Sequence, residues 1–319
     1  MTQSAPAHVN TPFWLPQAMQ TARGIRRRVL EHTISQNGGY LSQACSSAEI
    51  FAALYTRILN IQPSQAPMIP PSFPGVPHLN NQAYFTGYLY NGPKALHLDR
   101  FFISPVQYAL VLYATLVETG RMDPAGLKMF NQDGSTVEMI GAEHSPGHEI
   151  TAGSLGQALS QVVGISIGRK RKGETGRNWV FMSDGEFQIG QTWEAFEVMH
   201  HYQVDNIGII VDVNGQQADG EMRSVLDIEP LDRRLEGFGA RVFRIDGHNL
   251  PVLVGAATLE PDGRPTVILA NTNPCRDIPL LEERRPRLHY LRFKDEAERS
   301  RYQAFLNQWN AEGKNGTGE

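Results

Sequence analysis

The sequence predicts an α/β fold, a parallel sheet flanked by helices. Three observations lead there. From residue 151 onward, short apolar runs alternate with segments of helical period, the pattern of strand–helix–strand units. Two of the runs, Trp179–Met182 and Ile207–Val213, are predominantly apolar, as strands buried on both faces are. Beyond each run a polar residue precedes a glycine, Asp184-Gly185 and Asn214-Gly215, which marks a strand-end turn.

Of the 319 residues, 41% are hydrophobic and 19% charged, a globular composition with enough apolar mass for a sizeable core. The formal net charge of −4 gives no reason to expect nucleic acid as the main partner. Two cysteines, Cys45 and Cys275, are too few for a disulfide framework and fit a reducing cytosol. The first residues lack the charged-then-apolar order of a signal peptide. No run reaches the roughly 18 apolar residues of a membrane span, so the expected location is cytoplasmic.

Taken in order, residues 1–16 read as a polar arm, 17–290 as one domain and 291–319 as a polar tail, helical or frayed. Met19, Ile25, Val29, Leu30 and Ile34 give residues 17–35 an apolar helical stripe, closed by Asn37-Gly38-Gly39. A second helix is expected over Ser47–Leu59, with Ser46 or Ser47 as N-cap and Glu49 at capping-box spacing from Ser46. Seven prolines make residues 61–95 a long irregular excursion. A third helix is expected over Val106–Thr119. Gly153-Ser154-Leu155-Gly156 opens a fourth, ending near Arg169, where Arg169–Lys172 reads as a solvated basic end. A helix over 190–202 separates the two apolar strands, and further strands are expected at Ala240–Ile245 and Thr266–Ala270.

The residues after those two strands carry the chemistry. Ligands gather at the carboxyl ends of parallel strands. A strand–helix–strand unit therefore brings Asp184 near Asn214, although they lie 30 positions apart. A carboxylate and an amide oxygen suit a hard cation that also takes phosphate oxygens, which points to Mg2+. Gly185 lets the backbone approach a diphosphate, and the helix N-terminus beyond it favours that charge. Taken singly, each pair reads first as an ordinary turn, and the site reading rests on the two occurring together on adjacent strands.

At these residues the chain resembles the transketolase family. Ser183-Asp184-Gly185-Glu186, followed by Asp212-Val213-Asn214-Gly215, is similar to the thiamine diphosphate signature of Gly-Asp-Gly and a later Asn, with Ser183 in place of the first Gly. Asp99-Arg100-Phe101, Gly153-Ser154-Leu155-Gly156-Gln157, Gly190-Gln191-Thr192-Trp193-Glu194-Ala195, Asp219-Gly220 and Asp246-Gly247-His248 extend the match over about residues 20–290. In detail it is similar to the separate N-terminal subunit of split transketolases. The resemblance implies a thiamine-diphosphate-binding fold, here its diphosphate-binding domain, with thiamine diphosphate and Mg2+ as cofactors. It implies Asp184, Asn214 and the backbone carbonyl of Gln216 as metal ligands. Gly153, Leu155, Gly156, Gly185 and Glu186 fall at cofactor-binding positions. His289, in Pro286-Arg287-Leu288-His289, falls where the family has a histidine near the diphosphate, a plain surface histidine being the other reading.

The family's activating glutamate belongs to a second, pyrimidine-binding domain, for which this chain has no room. The resemblance therefore implies a C-terminal transketolase-like partner subunit that supplies it, in an α2β2 assembly. Three family motifs are altered. Gly-His-Pro-Gly-Gly reads Ser35-Gln36-Asn37-Gly38-Gly39, Ser-Lys-Gly-His reads Ser104-Pro105-Val106-Gln107, and Gly-His-Pro reads Gly141-Ala142-Glu143. The family's histidines there touch sugar hydroxyls or the cofactor phosphate. Glutamine keeps the hydrogen bonds but carries no proton. His144 and His148 lie nearby as substitutes, a core or exposed histidine being the alternative. The candidate catalytic positions are thus His289, Gln107, Gln36 and His148. Ile189 stands where the family has an acidic residue, which bears on contacts between subunits. The expected activity is transfer of a two-carbon ketol or acyl unit from a ketose-type donor to an aldehyde-type acceptor, with substrates other than the usual sugar phosphates. Competing readings are another thiamine diphosphate enzyme (2-oxoacid dehydrogenase α-like or deoxyxylulose-phosphate synthase-like) and a silent subunit that binds the cofactor without catalysis. Last ranks a generic nucleotide-binding protein, because no Gly-x-Gly-x-x-Gly or P-loop follows a strand.

Overall fold

The computed structural model describes residues 12–315. Of the arm expected over 1–16, residues 1–11 lie outside the described residues, as do residues 316–319 of the expected tail. Helix α1 (Leu15–Ser35) carries Pro16 in its first turn, where a missing N–H is no loss. It buries Ala18, Ala22, Ile25, Val29 and Ile34. Asn37 turns the chain with a φ of 55°, a conformation asparagine tolerates. Helix α2 (Leu41–Ala53) follows and widens into a π turn over Leu54–Ile58.

Helix α2 begins at Leu41, not at the expected Ser47, and neither serine is a cap. Ser47 Oγ donates back to the Gln43 carbonyl at 2.6 Å, as interior helical serines do. Ser46 Oγ donates to the Asp212 carboxylate. The small residues Ala44, Cys45 and Ala48 of this helix are buried along with Ile50 and Phe51. Glu49 makes no capping box. It ties Arg26 to His248, whose Nδ1 lies 2.9 Å from Glu49 and whose Nε2 accepts from the Asn273 N–H at 2.8 Å. That bond explains the Asp246-Gly247-His248 segment as a structural clasp.

The central sheet contains β1 (Arg100–Ile103), β2 (Asn178–Ser183), β3 (Ile207–Val213), β4 (Arg241–Asp246) and β5 (Thr266–Asn271). All pairings are parallel, in the order β1-β2-β3-β5-β4. Strand β1 was not expected, being only four residues long. The crossovers include α3 (Ala109–Glu118), α4 (Gln157–Arg171), α5 (Gly190–His201), α6 (Leu231–Gly237) and α7 (Leu250–Ala257). Alternate strand residues face opposite layers. Phe101, Phe181, Ile210 and Ile268 join the core under α1, α2, α3 and α7. Phe102, Val180, Ile209 and Val267 join the core under α4, α5 and α6. Gly208, the register partner of Trp179, leaves room for that ring, since a Cβ there would lie 2.5 Å from it.

At the end of α4, Lys170, Arg171 and Lys172 are exposed as expected, whereas Arg169 is buried and bonds the Leu98 carbonyl and Asn178. The expected polar tail is packed. Leu291–Arg292 pairs with Gly38–Gly39, and α8 (Glu296–Asn315) lies along α1. Tyr302, Phe305, Leu306 and Trp309 fall at i, i+3, i+4 and i+7, an apolar stripe within a polar segment. Tyr302, Leu306 and Trp309 are buried. Among the described residues no helix is long and apolar enough to cross a membrane.

Candidate functional site

The site is built by register. Ser183 pairs with Asp212, so the residues just past β2 and β3 emerge side by side at the carboxyl edge of the sheet. Asp184 Oδ2 accepts the Gly215 N–H at 2.8 Å and Oδ1 accepts the Gly185 N–H at 2.9 Å. The two turns expected to converge are thus hydrogen-bonded to each other. Asn214 Nδ2 donates to Tyr108 Oη at 3.0 Å and to Asp212 at 3.2 Å, and its Oδ1 accepts the Gln216 N–H at 2.9 Å. Because Asp212 only accepts, it fixes which end of the Asn214 amide faces it. Asp212 also takes bonds from Ser46, Tyr108 and Thr272.

Three carboxylates, Asp184, Glu186 and Asp212, are buried here within two turns of chain. Burial, then the charge of Asp212, pushes the Asp184 carboxyl up to about 8, against the pull of the Gly215 and Gly185 N–H groups. Burial likewise raises Glu186 and Asp212. Among the described residues no cationic side chain offsets any of the three. A buried charge without a partner is strongly unfavourable, so the geometry fits a cation brought from outside. Among the described residues no three His, Cys, Asp or Glu side chains form a metal cluster. The available donors are one carboxylate, one amide oxygen and carbonyls, a hard-oxygen set suited to a cation that keeps phosphate or water ligands. Gln216 adds a buried Oε1 with no partner among the described residues.

Room for an anion lies beside these donors. A Cβ built on Gly185 would meet nothing within 4 Å. Gly153 and Gly156 have φ of 118° and 81°, and a Cβ at Gly153 would lie 2.7 Å from Val106. The N–H groups of Gly153, Ser154 and Leu155 give no hydrogen bond to the described backbone. Half-buried Leu155 completes that turn.

Glu186 does not present a free carboxylate to this space. It is buried, and protein donors take both of its oxygens. Gln36 and Gln107 do come together, in a cavity of about 250 Å3 that also takes in His32, Tyr40, Asn131 and Tyr290. Val106 lines that cavity and touches Gly153, so the cavity adjoins the glycine turn. Burial pushes His32 down to about 4, leaving it neutral. His148 is elsewhere. It is buried under Gly141, its Nδ1 lies 3.3 Å from the Pro146 carbonyl, and burial pushes it down to about 4. His144 pairs with Glu138 and packs on Phe73. Neither histidine lines the cavity, and His148 follows the Pro146-Gly147 turn as a buried residue. His289 stands edge-on to Tyr40, ring centroids 5.4 Å apart, and burial lowers its pKa. A larger cleft of about 850 Å3, between α1, α7 and α8, contains none of the candidate catalytic, cofactor-binding or metal-ligating residues.

The residues whose part the sequence did not reveal are Ser46, Tyr108, Asp212 and Thr272, which form the hydrogen-bond network around Asn214, and Ser104, which bonds Glu186. Asp212 had a legible signal, being an acidic residue inside an apolar strand. Ser104 stood in the altered Ser104-Pro105-Val106-Gln107 motif, and the remaining three had no such signal, because they come from distant elements.

Residues 80–279 match the family model described as transketolase, thiamine diphosphate binding domain. A putative uncharacterized transketolase family protein of Sinorhizobium fredii is 36% identical over 86% of this chain and 89% of its own. The chain belongs to the transketolase family. One of the separate subunits of the apulose-4-phosphate transketolase of Actinobacillus succinogenes is 29% identical over 87% of this chain and 92% of its own. Transketolase from Campylobacter jejuni superimposes with a TM-score of 0.68 at 19% identity, covering 95% of this chain and 47% of that one. At that identity the likeness concerns the fold, and this chain spans about half the length of that transketolase. Family membership identifies the sheet as the thiamine-diphosphate-binding α/β fold and the chain as a member of a family of transferases that depend on that cofactor.

Proposed function

We propose that this chain is the diphosphate-binding subunit of a heteromeric transketolase-like enzyme. It transfers a two-carbon ketol or acyl unit from a ketose-type donor to an aldehyde-type acceptor. The observation that carries the reading is the buried Asp184 carboxylate, bonded to Gly215 beside Asn214, with no cation among the described residues to offset it. Asp184, Asn214 and the Gln216 carbonyl hold Mg2+. Gly153, Leu155, Gly156 and Gly185 line the diphosphate, and His289 serves as the histidine of that region, a role supported by its position in the family-like segment Pro286-Arg287-Leu288-His289. When bound, thiamine diphosphate supplies the nucleophilic carbon and the electron sink of the reaction. This chain binds and orients it and shields its charged end.

Gln36 and Gln107 hold substrate hydroxyls by hydrogen bonds and move no proton, so proton transfer falls to other groups. A C-terminal, pyrimidine-binding partner supplies the activating glutamate and the rest of the pocket, in an α2β2 assembly. Support for this comes from the Actinobacillus relative, which is of similar length and is itself named as one of the subunits of its enzyme. That relative's name also supports substrates outside the usual sugar phosphates. Two free, buried cysteines agree with a cytoplasmic location.

The test is calorimetric titration of thiamine diphosphate and Mg2+ into the reconstituted complex. Asp184→Ala and Asn214→Ala are expected to abolish binding, and unchanged affinity in both would refute the ligand assignment. Turnover of xylulose 5-phosphate with ribose 5-phosphate at ordinary transketolase rates would refute the altered substrate.

A further inference from the structure

Glu186 lies two residues beyond Asp184 and has no solvent exposure. Its Oε1 accepts from the Ser104 hydroxyl and from the Gly156 N–H at 3.0 Å. Its Oε2 accepts from the Ser183 N–H at 3.0 Å. These three donors belong to three separate elements: the residue after β1, the turn before α4 and the end of β2. The Glu186 carbonyl takes a fourth bond, from Thr192 Oγ1 at 2.7 Å, which attaches α5. An ionised carboxylate is an acceptor only, so it gathers several donors without competing with them, and such bonds are stronger than neutral ones.

Two consequences follow for the neighbouring turns. Bonding to Glu186 fixes the plane of the peptide that ends in Gly156, and with it the Gly153–Gly156 turn, whose preceding N–H groups stay free of backbone acceptors among the described residues. The bond to Ser104 fixes the start of the Ser104–Gln107 segment, which sets Val106 against Gly153 and Gln107 into the 250 Å3 cavity. One carboxylate thus holds the cofactor turn and the substrate cavity in register with the strand end that carries Asp184.

We infer that Glu186 is a positioning residue, which touches neither cofactor nor substrate and sets cofactor affinity by clamping the Gly153–Gly156 turn to the ends of β1 and β2. This rests on the reading of the site as the thiamine diphosphate site. Glu186→Gln keeps the size of the side chain but faces one of the three donors with an amide N–H2 group. In the full chain reconstituted with its partner, the Kd for thiamine diphosphate with Mg2+ rises about 10–100-fold, as losses of outer-sphere support do. The kcat at saturating cofactor stays within about threefold of wild type, because no reacting group is removed. A purely structural role would lower the melting temperature and leave the Kd measured well below it unchanged. Ser104→Ala removes one donor without a polar mismatch and raises the Kd in the same direction, by about two- to tenfold. Should Glu186→Gln fail to fold, Ser104→Ala decides, and unchanged affinity there overturns the inference. Unchanged affinity in a folded Glu186→Gln overturns it as well, and so does a fall in kcat at saturation with cofactor affinity intact. Absence of binding by the wild-type complex would instead overturn the site reading.

Discussion

Loading the site with Mg2+ and thiamine diphosphate is expected to expel a proton. In the unliganded chain burial and Asp212 hold the Asp184 carboxyl at about 8. At pH 7.5 such a group is mostly protonated, and a bound cation requires it ionised, so binding releases the larger part of one proton. Below that pKa, cation affinity falls about tenfold for each pH unit, and above it affinity levels off. The sign for stability follows from the same displacement. A carboxyl raised from 3.8 to about 8 makes the unliganded fold lose stability as pH rises through that interval, the reverse of a salt-bridged carboxylate. Bound cation removes the loss. The assay is calorimetry at pH 7.5 in buffers of different ionisation enthalpy, where the slope of heat against that enthalpy counts protons. The cofactor's own protons are subtracted by titrating Mg2+ into thiamine diphosphate alone. Release below about 0.2 proton, with affinity flat from about pH 6.5 to 8, would refute the argument that an unpaired buried carboxylate awaits the metal.

Further outcomes are expected from single substitutions. Gly185→Ala leaves the melting temperature within about 1 °C, since the new Cβ meets no protein atom, yet weakens cofactor binding at least about tenfold because it fills the diphosphate's approach. Glu49→Gln breaks a buried link to Arg26 and His248, costing about 3–5 kcal/mol and lowering the melting temperature by about 5–8 °C. Burial works to raise the Glu49 pKa, but His248 and Arg26 bring it down to about 2, so its stabilisation is present above about 4.5 and is lost as pH falls through 2, which melts at pH 3 and pH 7 compare. Gln107→His puts a titratable group in the cavity, and the pH profile of kcat/KM gains a step that the wild type lacks, below about 6.5 because burial in that cavity disfavours the charged imidazole.

Much of this was legible because it depends on local pattern. The strands β2, β3 and β5 announced themselves as apolar runs, and parallel pairing then brought Asp184 and Asn214 together without further information. The start of α2 was not legible, because Ser46 and Ser47 look like caps and become interior only when Asp212, far along the chain, accepts the Ser46 hydroxyl. Strand β1 is too short to show a period. Helix α8 hid a four-residue stripe inside a polar composition. His148 illustrates a different limit: proximity to the altered Gly141-Ala142-Glu143 motif suggested a substitute for the lost histidine, but side-chain direction is set by the intervening backbone. Glu186 stood in the right motif, and only the fold reveals that its carboxylate faces inward.

The hydrogen bond from Gly215 to Asp184 makes that amide a natural spectroscopic reporter. Its acceptor oxygen belongs to the carboxylate that the metal would share, so occupancy polarises the oxygen and shifts the Gly215 proton without any label. Slowed amide exchange at the same residue would report closure of the two strand ends. A single glycine in the backbone can therefore count how many copies of the chain in a preparation are loaded, even where turnover cannot be measured for want of a known substrate.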